Sequence, residues 1–235
     1  MPKNQKDFKT PPTKYQPRGL SILYEDHDIL VVDKMSGLLT VSTEKVRENT
    51  AYYLLTNYVR KGNQKSRNRI FIVHRLDRDT SGVIVFAKNE KAKFYLQEEW
   101  PKFTKKYLAV IHGTLPKKEG IITSYIVENR AHKMYSVDDP KKGKLAKTGY
   151  KVLRESKKFS LLEIELLTGR KNQIRIHFSE NGSPVAGDKI YGTKEKGSKR
   201  LALHAASISI LHPHSKEKMS FEAPVPVFFN SLLNR

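Results

Sequence analysis

The sequence contains no cysteine, which excludes disulfides and every metal site built on thiolate ligands. It has no apolar run long enough to span a bilayer. No secretory leader pattern opens it, and no lipidation motif or basic amphipathic helix is apparent, so the cytoplasm is the expected location and a membrane is not the expected partner. No repeat at a solenoid period is present. Acidic residues are also scarce. Against 24 Asp and Glu stand 44 Lys and Arg, a formal net charge of +20 on 235 residues. A field of that sign attracts polyanions, and neutralisation of phosphates by Lys and Arg drives sequence-independent nucleic-acid binding.

What remains is ordinary globular material, 38% hydrophobic and 29% charged, enough for one good-sized domain, or one domain with an appendage. Residues 1–19, MPKNQKDFKTPPTKYQPRG, are rich in proline and lysine and lack apolar periodicity, so they read as a flexible basic arm before a domain of residues 20–235. Strands are expected at 21–24, 29–33, 70–73, 83–87, 105–112, 121–127, 148–154, 159–167, 201–211 and 219–222. Helices are expected from a cap at Asn49 or Thr50 to Arg60, with Tyr52 and Tyr53 as packing residues, and from Asn89 to about Glu99. Two more are expected at 172–180 and 227–233. Residues 128–147 are poor in apolar side chains and read as a long excursion from a hairpin. Strands adjacent in sequence and joined by short loops imply an α+β fold, a mixed and largely antiparallel central sheet with flanking helices and loops.

Chemistry concentrates in two stretches. Between the apolar runs 70–73 and 83–87 lies a polar loop, HRLDRDTSG, that carries His74, Arg75, Asp77, Arg78, Asp79, Thr80 and Ser81. Short polar loops between core strands are where scaffolds present reactive groups, and Asp77 is the candidate catalytic carboxylate. The same residues would also suit a surface hairpin with an incidental charge cluster. The basic loop KGNQKSRNR at 61–69 lies just upstream, either solvated or in contact with phosphate. The second stretch is LTGRKNQIRIHFSENGSPVAGDKIY at 167–191. Arg170, Lys171 and the first helical amides converge at a helix N-terminus, a place suited to anions. Ile174, His177 and Phe178 share an apolar face, where His177 reads as a satisfied core histidine. Arg175 in the first turn opposes the helix dipole, so it either has a carboxylate partner, for which Asp77 is the candidate, or is exposed without one. Asp188 reads as a capping or pairing residue of the following turn.

These stretches together resemble the RluA-like family of RNA pseudouridine synthases. The resemblance rests on HRLDRDTSG at 74–82, KKYLAVIHG at 105–113, TGRKNQIRIH at 168–177, PVAGDKIYG at 184–192 and RLALHA at 200–205, with YEDHDILVVDKMSGLLT at 24–40 and EAPVP at 222–226 in the same order. Asn172 stands where the family often has His, and Met35 where Pro is common. Many relatives carry an N-terminal S4 domain, for which the arm is too short, so a short form is expected.

The resemblance implies isomerisation of uridine in RNA to pseudouridine without cofactor or metal, by a monomer. The glycosidic bond breaks, the uracil rotates, and C5 joins C1′. It makes Asp77 the catalytic carboxylate, Tyr107 a catalytic ring that packs on uracil and serves in proton transfer, and Arg175 the partner of Asp77. Arg75 would enter the space left by the extruded base, with Arg170, Lys171, Asn172 and Ile174 as further RNA or substrate contacts. Extruding a base costs roughly a few kcal/mol of unstacking, and stacking on a tyrosine returns about 1–3 kcal/mol. An aspartate in a dry pocket needs a nearby arginine to stay ionised. Ribosomal RNA is the favoured substrate, with transfer RNA second, held by the basic loops 61–69 and 128–147. Attack on the sugar and proton removal from C2′ both remain open for Asp77. Two other readings fit the residues less fully. A non-catalytic RNA-binding or ribosome-assembly protein explains the charge but not the Asp and Arg motifs. A sugar hydrolase using Asp77 and Asp79 has no assured carboxylate spacing.

Overall fold

Uninterrupted apolar runs need cover on both faces, and the first sheet is built on two of them. In the computed structural model, which describes residues 8–63, 65–192 and 198–234, β2 (Ile29–Lys34) and β4 (Ser81–Ala87) are almost wholly buried. They pair antiparallel from Ile29↔Ala87 to Lys34↔Gly82. β1 (Leu20–Glu25) alternates, burying Leu20, Ile22 and Tyr24, and pairs with the other side of β2. β3 is only Phe71–Ile72 and pairs with the end of β4. These strands belong to one compact unit, Met1–Phe103 with Ser207–Pro224; Thr104–Ala206 with Val225–Arg235 form the other.

The first unit also holds α1 (Ala51–Arg60) and α2 (Glu90–Glu99), whose caps follow the expected chemistry. Thr50 accepts from the Tyr53 amide and Asn89 from the Ala92 amide. Tyr53, expected to pack, is exposed because Leu55 and Val59 form the inward stripe of α1. The unit's core joins Tyr24, Val31, Val85 and Leu96 to Ile208, Ile210, Met219 and Phe221. The last four come from a hairpin in which the latter half of β10 (Leu203–Leu211) pairs with β11 (Lys218–Glu222). Part of the expected basic arm is described. Phe8 packs against the Tyr24 ring, and Gln16 Oε1 accepts from the Ile22 amide. Residues 1–7 lie outside the described residues.

The second unit is an antiparallel ladder in the order β5 (Thr104–His112), β9 (Phe159–Leu166), β8 (Lys144–Glu155), β6 (Glu119–Glu128) and β7 (Met134–Val137). The expected excursion at 128–147 contains β7 and the first part of β8. That part was hidden because lysines flank its one small apolar residue, while Ala146 and Thr148 share the inward face and are fully buried. α3 (Gln173–Glu180) is buried from Gln173 to Phe178 rather than along one stripe. Its Ile174 and Phe178 join Ala109, Ile111, Leu162 and Ile164, closed by Phe229 and Leu232 of α4 (Phe228–Leu233). The α+β class and the mostly antiparallel sheet agree with the sequence reading.

Candidate active-site residues

In the first unit, the loop after β3 is held at the carbonyls of four successive residues, Leu76 to Asp79. His74 begins it. Its Nε2 accepts from the Val85 amide at 3.0 Å, replacing a strand carbonyl, and its ring stacks on Trp100 at 4.1 Å. The pairing of β3 with β4 thus ends where an imidazole takes over, which is why the strand is shorter than 70–73. Leu76 is buried, and Thr40 Oγ1 both donates to its carbonyl and accepts from its amide. The Arg78 carbonyl takes the Gly37 amide and the Lys34 ammonium. The Asp79 carbonyl takes Ser36 Oγ, and the Asp77 carbonyl takes the Thr80 amide.

Lys34 is fully buried, with Nζ also on the carbonyls of Leu38 (2.8 Å) and Met35 (3.0 Å). Residues 34–40 therefore hold the loop by its backbone, leaving Asp77 half-buried and Arg75 exposed. Sequence reasoning missed Lys34, Ser36 and Thr40 as parts of the site. Their signal was the polar stretch DKMSGLLT directly after the apolar run of β2.

In the second unit, Tyr107 lies on β5 opposite Ile164, half-buried against the core. Lys105, two residues earlier on the same strand face, is buried, and desolvation pulls its pKa below the ordinary lysine range. Arg175 is not an exposed arginine. Its Nε and Nη2 donate to the two oxygens of Asp188 at 2.7 and 2.8 Å, with both side chains buried. Burial alone would raise the Asp188 pKa. Hydrogen bonds from Arg175 and the Tyr191 amide, the arginine's charge and the Ile190 amide outweigh it and hold the carboxyl below its usual range.

Asn172 caps α3 in a left-handed conformation, φ 56°, with Oδ1 facing the Tyr191 hydroxyl at 3.4 Å. Ile174 lies in the unit's core. Ahead of the helix, Gln173 Oε1 accepts from the Arg170 amide. Arg170 Nε donates to the Leu145 carbonyl, and Lys171 Nζ pairs with Glu128 at 2.6 Å. His177 is a satisfied core residue. Its nitrogens meet Thr148 Oγ1 and Ser124 Oγ, each at 2.9 Å, and burial pushes its pKa down to about 4.

One cluster of potential metal ligands occurs among the described residues, Asp26, Asp28 and His212. His212 Nδ1 accepts from the amides of His214 and Ser215. Its Nε2 therefore carries the proton and donates to Asp26 at 2.8 Å. A ring donating at Nε2 has no lone pair for a cation, so the cluster is a clasp between two turns of the first unit.

Comparison with known proteins bears on both stretches. The family described as RNA pseudouridylate synthase matches residues 28–180. A Bacillus subtilis protein named "Uncharacterized RNA pseudouridine synthase YhcT" is 38% identical over 217 residues, covering 91% of this chain and 71% of that protein. The "Ribosomal large subunit pseudouridine synthase D" of Nitrosomonas europaea is 35% identical over 227 residues, covering 91% of this chain and 64% of that one. Among solved structures, "Human RNA Pseudouridylate Synthase Domain Containing 1" has a TM-score of 0.71 at 27% identity, covering 94% of this chain and 89% of the other. With a family match over most of its length and curated relatives at this identity, the chain belongs to the RNA pseudouridylate synthase family, whose members are isomerases.

Proposed function

We propose that this protein converts uridine to pseudouridine in structured RNA, with Asp77 as its catalytic carboxylate. The observation that carries the reading is the HRLDRDTSG loop, whose backbone is pinned by Lys34, Ser36, Thr40 and Gly37 around that one aspartate. A carboxylate that must meet C1′ or C2′ of a flipped nucleotide needs such pre-organisation, since misplacement by about 1 Å can cost on the order of a hundredfold in rate.

In this reading the target base leaves its stack and Arg75, exposed beside the pinned backbone, fills the gap. Tyr107 offers its ring to the uracil, and Arg175 serves as the cationic partner of the catalytic carboxylate. Arg170, Lys171 and Asn172 contact the RNA around the N-terminus of α3, with Ile174 as their apolar neighbour. The chemistry needs no cofactor and no metal. Ribosomal RNA is the favoured substrate, supported by the name of the Nitrosomonas relative and by the +20 charge; transfer RNA is the second choice.

Asp77→Ala separates this from a non-catalytic RNA-binding role. Pseudouridine mapping of total RNA from cells with the gene, without it, and carrying Asp77→Ala should show one or more sites lost in both mutants. The purified variant should retain RNA affinity within about threefold. An unchanged pseudouridine map would sink the enzymatic reading.

A further inference from the structure

Arg175 is held on two sides by residues of the turn that follows its helix. Asp188 takes the Nε–Nη2 edge of the guanidinium in a fork of 2.7 and 2.8 Å. The Tyr191 ring lies against it, 5.2 Å from Cζ to the centroid. Neither holder is loose. Asp188 Oδ1 also accepts from the Ile190 and Tyr191 amides. Gly187 has φ +74°, and a Cβ there would collide with the Arg200 carbonyl. A Cβ on Gly192 would strike the Asp188 carbonyl, whose oxygen accepts from the Gly192 amide. The Tyr191 hydroxyl meets Asn172 and the Met134 amide, and its carbonyl takes Ser179 Oγ. An isolated arginine samples many rotamers, and fixing a planar fork from one edge and one face leaves it essentially one.

We infer that Asp188, with Tyr191, is a positioning residue that aims the guanidinium of Arg175 for catalysis. The inference rests on the role proposed above for Arg175. The fork also sets direction. Nη1 and the second N–H of Nη2 point away from Asp188, so a second carboxylate can be served only from that side. A buried arginine needs an anion for stability alone, so the test must read aim and not just folding.

Asp188→Asn in the full chain keeps the shape and one acceptor but loses the charged fork. Its single-turnover rate at saturating RNA should fall at least tenfold, with RNA Kd within twofold of wild type. In an Arg175→Lys background the same substitution should cost less than threefold, because nothing remains to aim. The Arg175 side-chain Nε–H, followed by ¹⁵N NMR, should lose its protection from solvent exchange in Asp188→Asn. Equal losses in both backgrounds, a loss explained by Kd, or a wild-type rate would overturn the inference. Should Asp188→Asn fail to fold, Tyr191→Leu takes its place: a fivefold or greater rate loss with Tyr191→Phe near wild type supports the clamp, and a wild-type rate in Tyr191→Leu overturns it. If the wild-type chain converts no uridine, the underlying reading of function fails instead. The exchange measurement then judges the clamp alone, and protection retained in Asp188→Asn overturns it.

Discussion

A lysine ammonium shielded from water needs oxygen partners, and Lys34 finds them in three backbone carbonyls, one of them in the reactive loop. Lys34→Met keeps the aliphatic stem but leaves those carbonyls without their charged donor, so unfolding in urea should show a loss of about 3 kcal/mol. Because the Arg78 carbonyl is one of the three, the rate should fall further than the stability loss explains. His177 supplies a pH dependence. Its pKa is about 4 in the fold against 6.5 as the ordinary value. The folded state therefore binds fewer protons than the unfolded one, and stability is full above pH 6.5 and declines as pH falls to 4. The shift corresponds to about 3 kcal/mol. Asp26 and Asp188, held below their ordinary 3.8, add losses mainly at lower pH, and thermal melts of wild type and His177→Gln between pH 7 and 4.5 should read the histidine by difference. His177→Gln should flatten that slope. At this scale the sequence marked Asp77, Tyr107 and Arg175 as candidates through their motifs. It hid the Arg175–Asp188 fork because thirteen positions separate the two, across a turn whose path depends on Gly187 and Gly192.

At the scale of elements, capping was the most legible feature. Thr50 and Asn89 start α1 and α2 as expected, since a side-chain oxygen ahead of an apolar period is a local signal. The two caps are not equivalent. Asn89 also donates from Nδ2 to Asp28 at 2.7 Å, tying α2 to the β1–β2 turn. Asn89→Ala should therefore cost about 1 kcal/mol more than Thr50→Ala, which itself should cost about 1 kcal/mol, as read from urea midpoints of the two variants. Less legible were β7 and the start of β8. MYSV is too short to signal a strand, and the run KLAK reads as a charged loop until Ala146 is seen pointing into the sheet. Pairing partners decide such strands, and they lie elsewhere in the chain. The burial of α3 all round was hidden for the same reason, since Gln173 and Arg175 look like a polar face until Thr148 and Asp188 satisfy them.

For the whole molecule, charge sets the first expectation. A chain of net +20 that binds RNA through phosphate contacts should lose affinity steeply with salt. The double variant Lys141→Glu, Lys142→Glu, placed between β7 and β8, should lower the slope of log K against log salt by about two. An unchanged slope would remove that segment from the RNA contacts. The chain's route carries a further consequence, for synthesis. The first unit needs Ser207–Pro224 to be complete, and its clasp joins Asp26 to His212 across 186 positions. When residue 103 leaves the ribosome, Val31, Val85 and Leu96 have emerged without Ile208, Ile210 or Phe221 to cover them. The second unit must be translated before those partners arrive. The earliest-made half of this protein is thus the last to close, and during that interval its apolar sheet surface depends on chaperones or on speed of synthesis to escape aggregation.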